Sequence, residues 1–189
     1  MIISVRGAFG SGKSTIVRGI LEKFGGKPIY GALGPKRPEA YECKVTKVKK
    51  PVYILGPYYA AATGGCDLIH PYDILLDLIE RYGSKGNLLF EGAIVSSSFG
   101  RVGELVSKWG QEAVFAFLNT PLEVCIEHVK KRRAAKKDIR DFDPKNVIIK
   151  FKQVEISRRS ITEAGKVRVV DVTMENGQDE ILKLLRSAK

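Results

Sequence analysis

A glycine-rich segment near the start of the chain has the residue types and spacing of a phosphate-binding loop. Residues 7–15, GAFGSGKST, match the pattern GxxxxGK[ST] between an apolar run at 2–5 and a helical pattern. Glycines let backbone N–H groups close around phosphate oxygens. Lys13 is expected to reach the β- and γ-phosphates, and the Ser14 hydroxyl is expected to ligate Mg²⁺. We therefore predict an ATP and Mg²⁺ site at Gly7, Phe9, Gly10, Ser11, Gly12, Lys13, Ser14 and Thr15.

Two carboxylates stand where a phosphate acceptor would be activated. Glu91 ends the apolar run 88–90, and Asp67 follows the glycine pair Gly64 and Gly65. The carboxyl ends of parallel strands form the usual ligand crevice of an α/β sheet, so either group could orient or deprotonate an acceptor hydroxyl. The pattern leaves open which one is the base, and a surface cap or a simple turn would also explain them.

The elements that must position these residues alternate between strand and helix patterns. Apolar runs at 2–5, 52–55, 88–90, 113–118 and 167–172 predict strands, and amphipathic patterns lie between most of them. Residues 27–50 are typical of a loop or hairpin, and residues 101–109 of a short helix. We expect an α/β fold of three layers, with a parallel sheet flanked by helices. Residues 1–189 are expected to form one domain.

Composition narrows the class of protein. The 189 residues are 44% apolar and 28% charged, and no apolar run is long enough to predict a membrane helix. Three widely spaced cysteines, Cys43, Cys66 and Cys125, favour neither a disulfide framework nor a zinc site. We expect a cytoplasmic protein, in the cytoplasm of the host if a phage encodes it.

The net charge of +11 is concentrated in two segments. Residues 36–50 hold six basic and two acidic side chains, and residues 130–159 hold 12 basic and four acidic ones. The remainder of the chain has a net charge of −1. Such localised basicity favours a polyanionic partner, with DNA as the expected substrate, although solvated lysine-rich faces are the alternative.

The run from Thr120 to Arg133 resembles the segment that leads into the mobile lid of nucleoside and nucleotide kinases. The resemblance implies a P-loop kinase fold with a basic lid segment at about 130–145, from which Arg132 and Arg133 stabilise the transferring phosphoryl group. A solvated helix end is the alternative for both arginines. His128 is expected to have no chemical role, and Arg101 could contact a substrate phosphate or lie on the surface.

A narrower resemblance comes from YILGPY at 53–58, TGGCD at 63–67 and FEG at 90–92. These motifs resemble bacteriophage 5-hydroxymethyluracil DNA kinases. The resemblance implies transfer of the γ-phosphate of ATP to a modified base within DNA, a base that must leave the duplex stack to react. Tyr58 and Tyr59 could stack on such a base, or they could equally be core or turn residues.

Three other functions remain open at this point. They are a nucleoside or deoxynucleoside monophosphate kinase acting on free nucleotides, a polynucleotide end-kinase, and a nucleotide-binding, DNA-associated module without transferase activity. The Asp-Arg pair of ordinary nucleotide kinases is missing, because Gly92 follows Glu91.

Overall fold

The computed structural model describes residues 1–58, 64–97, 102–103, 113–138 and 140–188. The strands are β1 (Ile2–Arg6), β2 (Lys27–Ile29), β3 (Ala40–Cys43), β4 (Val52–Leu55), β5 (Asn87–Glu91), β6 (Ala113–Leu118) and β7 (Arg168–Val172). The helices are α1 (Lys13–Phe24), α2 (Tyr72–Gly83), α3 (Ala93–Ser96), α4 (Leu122–Ala135), α5 (Lys145–Ala164) and α6 (Gly177–Ser187), with a 3₁₀ turn at Cys66–Leu68.

The seven described strands form one sheet in the order β2-β3-β4-β5-β1-β6-β7. Strands β4, β5, β1, β6 and β7 run parallel, whereas β2 and β3 form an antiparallel hairpin at the edge. The hairpin lies within residues 27–50, where a loop or hairpin was predicted. Because Val5 pairs with Glu91, the carboxyl ends of β1 and β5 lie side by side. The glycine loop that follows β1 therefore begins next to Glu91.

Two apolar cores cover the two faces of the sheet. Helices α1 and α6 pack on the face that contains Ile3 and Val5, whereas α2 and α5 pack on the face that contains Ile2 and Phe90. Neighbouring residues of β1 thus enter opposite cores, as alternation along a strand requires. The three-layer α/β arrangement predicted from the sequence is confirmed.

Helix α5 is the largest difference from the sequence prediction. Its 20 residues follow the lid segment, where only a charged run was noted. The helix buries Val147, Val154 and Ile161 at a spacing of seven residues, while two isoleucines and several cations lie on its outer side. This mixed outer face weakens the amphipathic signal. The helix predicted at 101–109 falls almost entirely outside the described residues.

Within the described ranges, no helix combines the length and the apolar composition that crossing a membrane requires. Cys43, Cys66 and Cys125 are buried free thiols.

Candidate active site

The loop between β1 and α1 has a backbone that only glycine can adopt at two positions. Gly10 has φ of 80° and Gly12 has φ of 99°, both in the left-handed region. A Cβ on Gly10 would lie 2.2 Å from the carbonyl oxygen of Cys125, and one on Gly12 would lie 1.7 Å from the sulfur of Met174. The glycines therefore fix the path of the loop between α4 and the segment after β7.

Lys13 begins α1 and lies almost entirely inside the protein. It is 5% exposed, and its Nζ donates a hydrogen bond to the carbonyl oxygen of Ala8 at 2.8 Å. Burial lowers the pKa of Lys13, an effect that the nearby carboxylates of Glu91 and Asp67 partly oppose. The first N–H groups of α1 have no acceptor within the helix, so they and the lysine together form a site for phosphate oxygens.

Glu91 lies at the floor of the site, where two hydroxyls donate to the same carboxylate oxygen. The Ser14 Oγ–Oε1 distance is 2.7 Å and the Tyr58 OH–Oε1 distance is 3.3 Å. Glu91 is 1% exposed, and this burial raises its pKa to about 7, although Lys13 and the hydroxyls act in the opposite direction. A carboxyl group with this pKa can exchange a proton near neutral pH.

Asp67 lies in the 3₁₀ turn and binds the start of α3. Its Oδ2 accepts a hydrogen bond from the N–H of Ala93 at 2.8 Å, and its Oδ1 accepts one from Ile94 at 3.1 Å. These bonds satisfy N–H groups that a helix cannot satisfy itself. The carboxylate thus has a defined position and also lines the same cavity as Glu91.

The glycine pair before Asp67 is explained by close packing. Gly65 has φ of 78°, and a Cβ there would lie 2.1 Å from Oε1 of Glu91. A Cβ on Gly64 would lie 2.5 Å from the ring of Tyr58. The turn therefore passes directly over the Glu91 carboxylate and the Tyr58 ring, and larger residues would displace both.

The structure corrects the stacking prediction for Tyr58. This side chain is 7% exposed, it belongs to the core on the α1 side of the sheet, and its hydroxyl binds Glu91. A buried ring cannot stack on a base, so of the two alternatives for Tyr58 the structure shows the core residue. Tyr59, named with it, lies outside the described residues.

Arg132 and Arg133, the two arginines of the predicted lid, have different surroundings. Arg132 lines the cavity beside the glycine loop. Arg133 instead donates to Asp138 Oδ2 at 3.1 Å and to the carbonyl oxygen of Arg140 at 2.8 Å, and its guanidinium lies 5.5 Å from the ring centre of Phe142. Arg133 therefore organises the loop after α4. Arg101 lies outside the described residues.

Sequence reasoning missed a contact made by His128. Its Nδ1 donates to the carbonyl oxygen of Gly10 at 2.8 Å, and the ring lines the cavity. The two residues are 118 positions apart, so no local pattern indicates the contact. The histidine ties α4 to the phosphate-binding loop.

These side chains surround one cavity of about 360 Å³. Its lining comes from the glycine loop, the start of α1, the two carboxylates, α4 and the segment after β7: Phe9, Gly10, Gly12, Lys13, Ser14, Thr15, Arg18, Asp67, Glu91, His128, Lys131, Arg132 and Met174. Most of the residues predicted from the sequence line this cavity: Phe9, Gly10, Gly12, Lys13, Ser14, Thr15, Asp67, Glu91 and Arg132. Gly7, Ser11 and Arg133 do not line it.

The donor groups suit Mg²⁺ bound jointly by protein and phosphate. The Ser14 hydroxyl and the Asp67 carboxylate could supply oxygen ligands, which Mg²⁺ prefers. Among the described residues, no group of three or more His, Cys, Asp or Glu side chains forms a metal cage. Mg²⁺ commonly takes one or two protein ligands and completes its shell with substrate phosphates and water.

Comparison with known proteins identifies three related phage enzymes. No protein-family model matches the chain. It is 34% identical over 188 residues to the 5-hmdU DNA kinase of Pseudomonas phage PaMx11, covering 98% of this chain and 97% of that protein. It is 33% identical over 141 residues to the 5-hmdU DNA kinase of Pseudomonas phage M6, covering 71% and 73% of the two chains.

A third relative is 5-hmdU DNA kinase 1 of Salmonella phage ViI, with 28% identity over 161 residues, 79% of this chain and 66% of that protein. The first similarity extends over nearly the whole of both chains. The resemblance seen in the short motifs is confirmed. The chain is a kinase and belongs to the family of phage 5-hmdU DNA kinases.

Proposed function

We propose that the protein transfers the γ-phosphate of ATP to the hydroxyl of a 5-hydroxymethyluracil base within DNA. The names of the relatives supply the substrate class. The observation that carries the proposal is the cavity in which Lys13, Ser14 and a buried Glu91 converge beside Asp67. A triphosphate on the loop would present its γ-phosphate to an acceptor held by the two carboxylates.

In this reaction the acceptor oxygen bonds to the γ-phosphorus, and the bond from that phosphorus to the β–γ bridging oxygen breaks. ADP leaves, and the hydroxyl proton passes to a carboxylate. We assign this proton to Glu91, because its pKa of about 7 lies close to neutral pH. Asp67, fixed by the N–H groups of α3, would orient the acceptor.

The positive groups of the site have separate parts in the proposal. Lys13 and the N–H groups of the loop would hold the phosphates and stabilise charge on the transferring group. Bound Mg²⁺, with Ser14 as a ligand, would neutralise charge on the β- and γ-phosphates. Arg132 would add a positive charge to the side of the cavity formed by α4. Arg133 would stabilise the loop after α4 through its hydrogen bond to the carbonyl oxygen of Arg140.

The basic segments 36–50 and 130–159 are proposed to hold the DNA. Their localised charge matches a polymer with one phosphate charge per about 1.7 Å of duplex axis. A base within a duplex must be flipped out before its substituent reaches the cavity, and the basic segments would retain the strand meanwhile.

The test is a phosphate-transfer assay with γ-labelled ATP and four acceptors. These are duplex DNA containing 5-hydroxymethyluracil, the same duplex with thymine, the free modified nucleotide, and the modified duplex with blocked 5′ and 3′ ends. We expect label in both modified duplexes and none in the thymine duplex. Label only in the free nucleotide would favour a monophosphate kinase, and loss of label on blocking the ends would favour an end-kinase.

A further inference from the structure

The outer side of α5 has three adjoining stripes. At 3.6 residues per turn they follow one another around the helix. The first is polar and faces α3, with Gln153, Ser157 and Ser160. The second is apolar, with Ile149 and Ile156, and the third is cationic, with Lys145, Lys152 and Arg159. The cations are spaced by seven residues, and so are the isoleucines.

The polar stripe forms one wall of a groove of about 450 Å³. Its lining residues are Ser97, Gln153, Ile156, Ser157 and Ser160. Ser157 is only 8% exposed, and its buried Oγ has no hydrogen-bond partner in the described part of the chain. A buried hydroxyl without a partner is unfavourable, because it has lost its hydrogen bonds to water. The groove therefore contains a polar group that a ligand with donors and acceptors would satisfy.

The apolar stripe borders this groove on the solvent side. Ile149 is 53% exposed and Ile156 is 63% exposed, and they are two of the four large apolar side chains that the described residues expose. A single exposed isoleucine is ordinary, but two on one helix face beside a groove indicate a contact surface. A planar, partly apolar ligand would cover them.

The cationic stripe indicates what kind of ligand this is. Lys145, Lys152 and Arg159 are all exposed and recur about every 10 Å along the helix. If a second copy packed its own α5 against this face, the two sets of cations would repel each other. A strand of nucleic acid matches all three stripes, because it carries polar base edges, apolar base faces and phosphates.

The groove also lies close to the candidate active site. Ser97 Oγ accepts a hydrogen bond from Lys150 Nζ of α5 at 3.0 Å. The preceding residue, Ser96, accepts one from the N–H of Gly7 at 3.1 Å, at the start of the phosphate-binding loop. Helix α3, capped by Asp67, is thus the only element between the cavity and the groove among the described residues.

The geometry points to a subsite on α5 that binds the DNA strand flanking the reacting nucleotide. A neighbouring base enters the groove and bonds to Ser157 and Gln153, its face packs against Ile149 or Ile156, and the phosphates contact Lys152 and Arg159. This inference rests on the proposed function, since it assumes that the acceptor is part of a DNA strand. It assigns the outer face of α5 to the nucleotides that do not react.

The test compares three double variants with the wild type. A groove variant carries Gln153→Ala and Ile156→Ser, and a charge variant carries Lys152→Glu and Arg159→Glu. A matched control carries Lys23→Glu and Lys183→Glu, which are exposed cations on helices of the opposite face of the sheet. Steady-state kinetics are measured with a long and a short modified oligonucleotide, and the KM for ATP is measured in parallel.

We expect the groove variant to raise the KM for the long oligonucleotide about 10-fold, the loss expected for one apolar contact of this size. Its kcat and its KM for ATP are expected to stay within about twofold, because the effect is confined to the flanking strand. Shortening the oligonucleotide should raise the KM of the wild type more than that of the variant. The charge variant should lower the slope of log Kd against log salt by about 2 relative to the control.

An unchanged KM of the groove variant for the long oligonucleotide would overturn the inference, as would a fall in kcat with every acceptor. A change in oligomeric state without a change in KM would also overturn it, and would assign the face to a second copy. If the wild type itself labels no DNA, the proposed function fails. If the wild type labels DNA and the groove variant does so equally well, only the subsite fails.

Discussion

Charged side chains at the floor of the cavity (Lys13 and Glu91) differ in burial from those in the predicted lid segment (residues 130–145). At the floor, Lys13 and Glu91 are 5% and 1% exposed. In the lid, the Arg140 and Asp138 side chains of one ion pair are 82% and 19% exposed. Buried charges interact strongly and are held by packing, whereas exposed pairs are screened by water and salt and contribute little energy. The two regions therefore suit different tasks.

The floor and the predicted lid segment also differ in the contacts that hold their side chains in place. The floor depends on contacts between distant parts of the chain, such as the hydroxyl of Ser14 on Glu91 across 77 positions. The lid depends on near neighbours, such as Arg133 and Asp138 five positions apart. We infer that the floor is preorganised for the chemical step and that the lid loop can rearrange at low cost when substrates bind.

The largest effect is expected at the floor, from Lys13→Ala. Removing a charge that stabilises the transferring group should lower kcat about 1,000-fold. The control is Lys130→Ala in the lid, where the ammonium lies 5.6 Å from the ring centre of Phe142. This variant should retain kcat within a few-fold. Single-turnover phosphate transfer measures both, and equal losses would remove the distinction between floor and lid.

The two lid arginines sharpen the comparison. Arg132 lines the cavity, so Arg132→Ala should lower kcat about 100-fold with little change in thermal stability. Arg133 contacts Asp138 and the carbonyl of Arg140, so Arg133→Ala should act mainly through the lid loop and lower kcat less. Kinetics and thermal melts on both variants test this. A larger kcat loss in Arg133→Ala would contradict the assignment.

Gly65→Ala tests the packing of the turn over Glu91. The added Cβ would combine a positive φ with a contact 2.1 Å from Oε1 of Glu91, so we expect a loss of roughly 1–3 kcal/mol in unfolding free energy and a loss of activity. Gly25→Ala is the control, because Gly25 has φ of 60° but no atom within 4 Å of its Cβ position. That variant should lose some stability and keep its activity. Equal activities in the two would contradict the packing argument.

The smallest predicted effect is on the pH dependence of stability. The folded pKa of Glu91, about 7, lies above its ordinary value of 4.5, so between these pH values the folded state binds more protons than the unfolded state. The unfolding free energy of the ligand-free protein should therefore fall as pH rises from about 4.5 to about 7, by of order 1–3 kcal/mol.

Denaturant unfolding at several pH values measures this trend. Glu91→Gln should remove that fall, whereas Asp67→Asn should keep most of it, because the Asp67 charge is a minor cause of the raised pKa of Glu91. A wild type and a Glu91→Gln variant with the same pH dependence would show that burial does not perturb this carboxyl group.

Local sequence patterns predicted the residues at the floor of the cavity better than the contacts that hold those residues in place. The residues of the glycine loop are consecutive, and the alternation of strands and helices predicted a parallel sheet whose carboxyl ends form the ligand crevice. That reasoning placed Ser14 and Glu91 at the same edge of the sheet, although the pairing of β1 with β5 came from the structure. It did not predict the hydroxyl of Tyr58 on Glu91 or the ring of His128 on Gly10, because both contacts depend on how separate segments pack.

Helix α5 was missed for a different reason. Its buried positions repeat regularly, but Ile149 and Ile156 add apolar residues to the exposed side and blur the periodicity. The residues that obscured the helix are the same ones that we assign to the DNA strand. We infer that this departure from an ordinary amphipathic pattern reflects the proposed contact of α5 with DNA.

The central claim is that the buried carboxylate of Glu91 accepts the proton of the DNA hydroxyl while Lys13 and the glycine loop hold the triphosphate. Single-turnover transfer from labelled ATP to modified DNA, compared between Glu91→Gln and Asp67→Asn at saturating ATP, tests it most directly. The account predicts a rate loss of about 100–1,000-fold for Glu91→Gln, a smaller loss for Asp67→Asn and unchanged ATP affinity in both. Near-wild-type transfer by Glu91→Gln would contradict it.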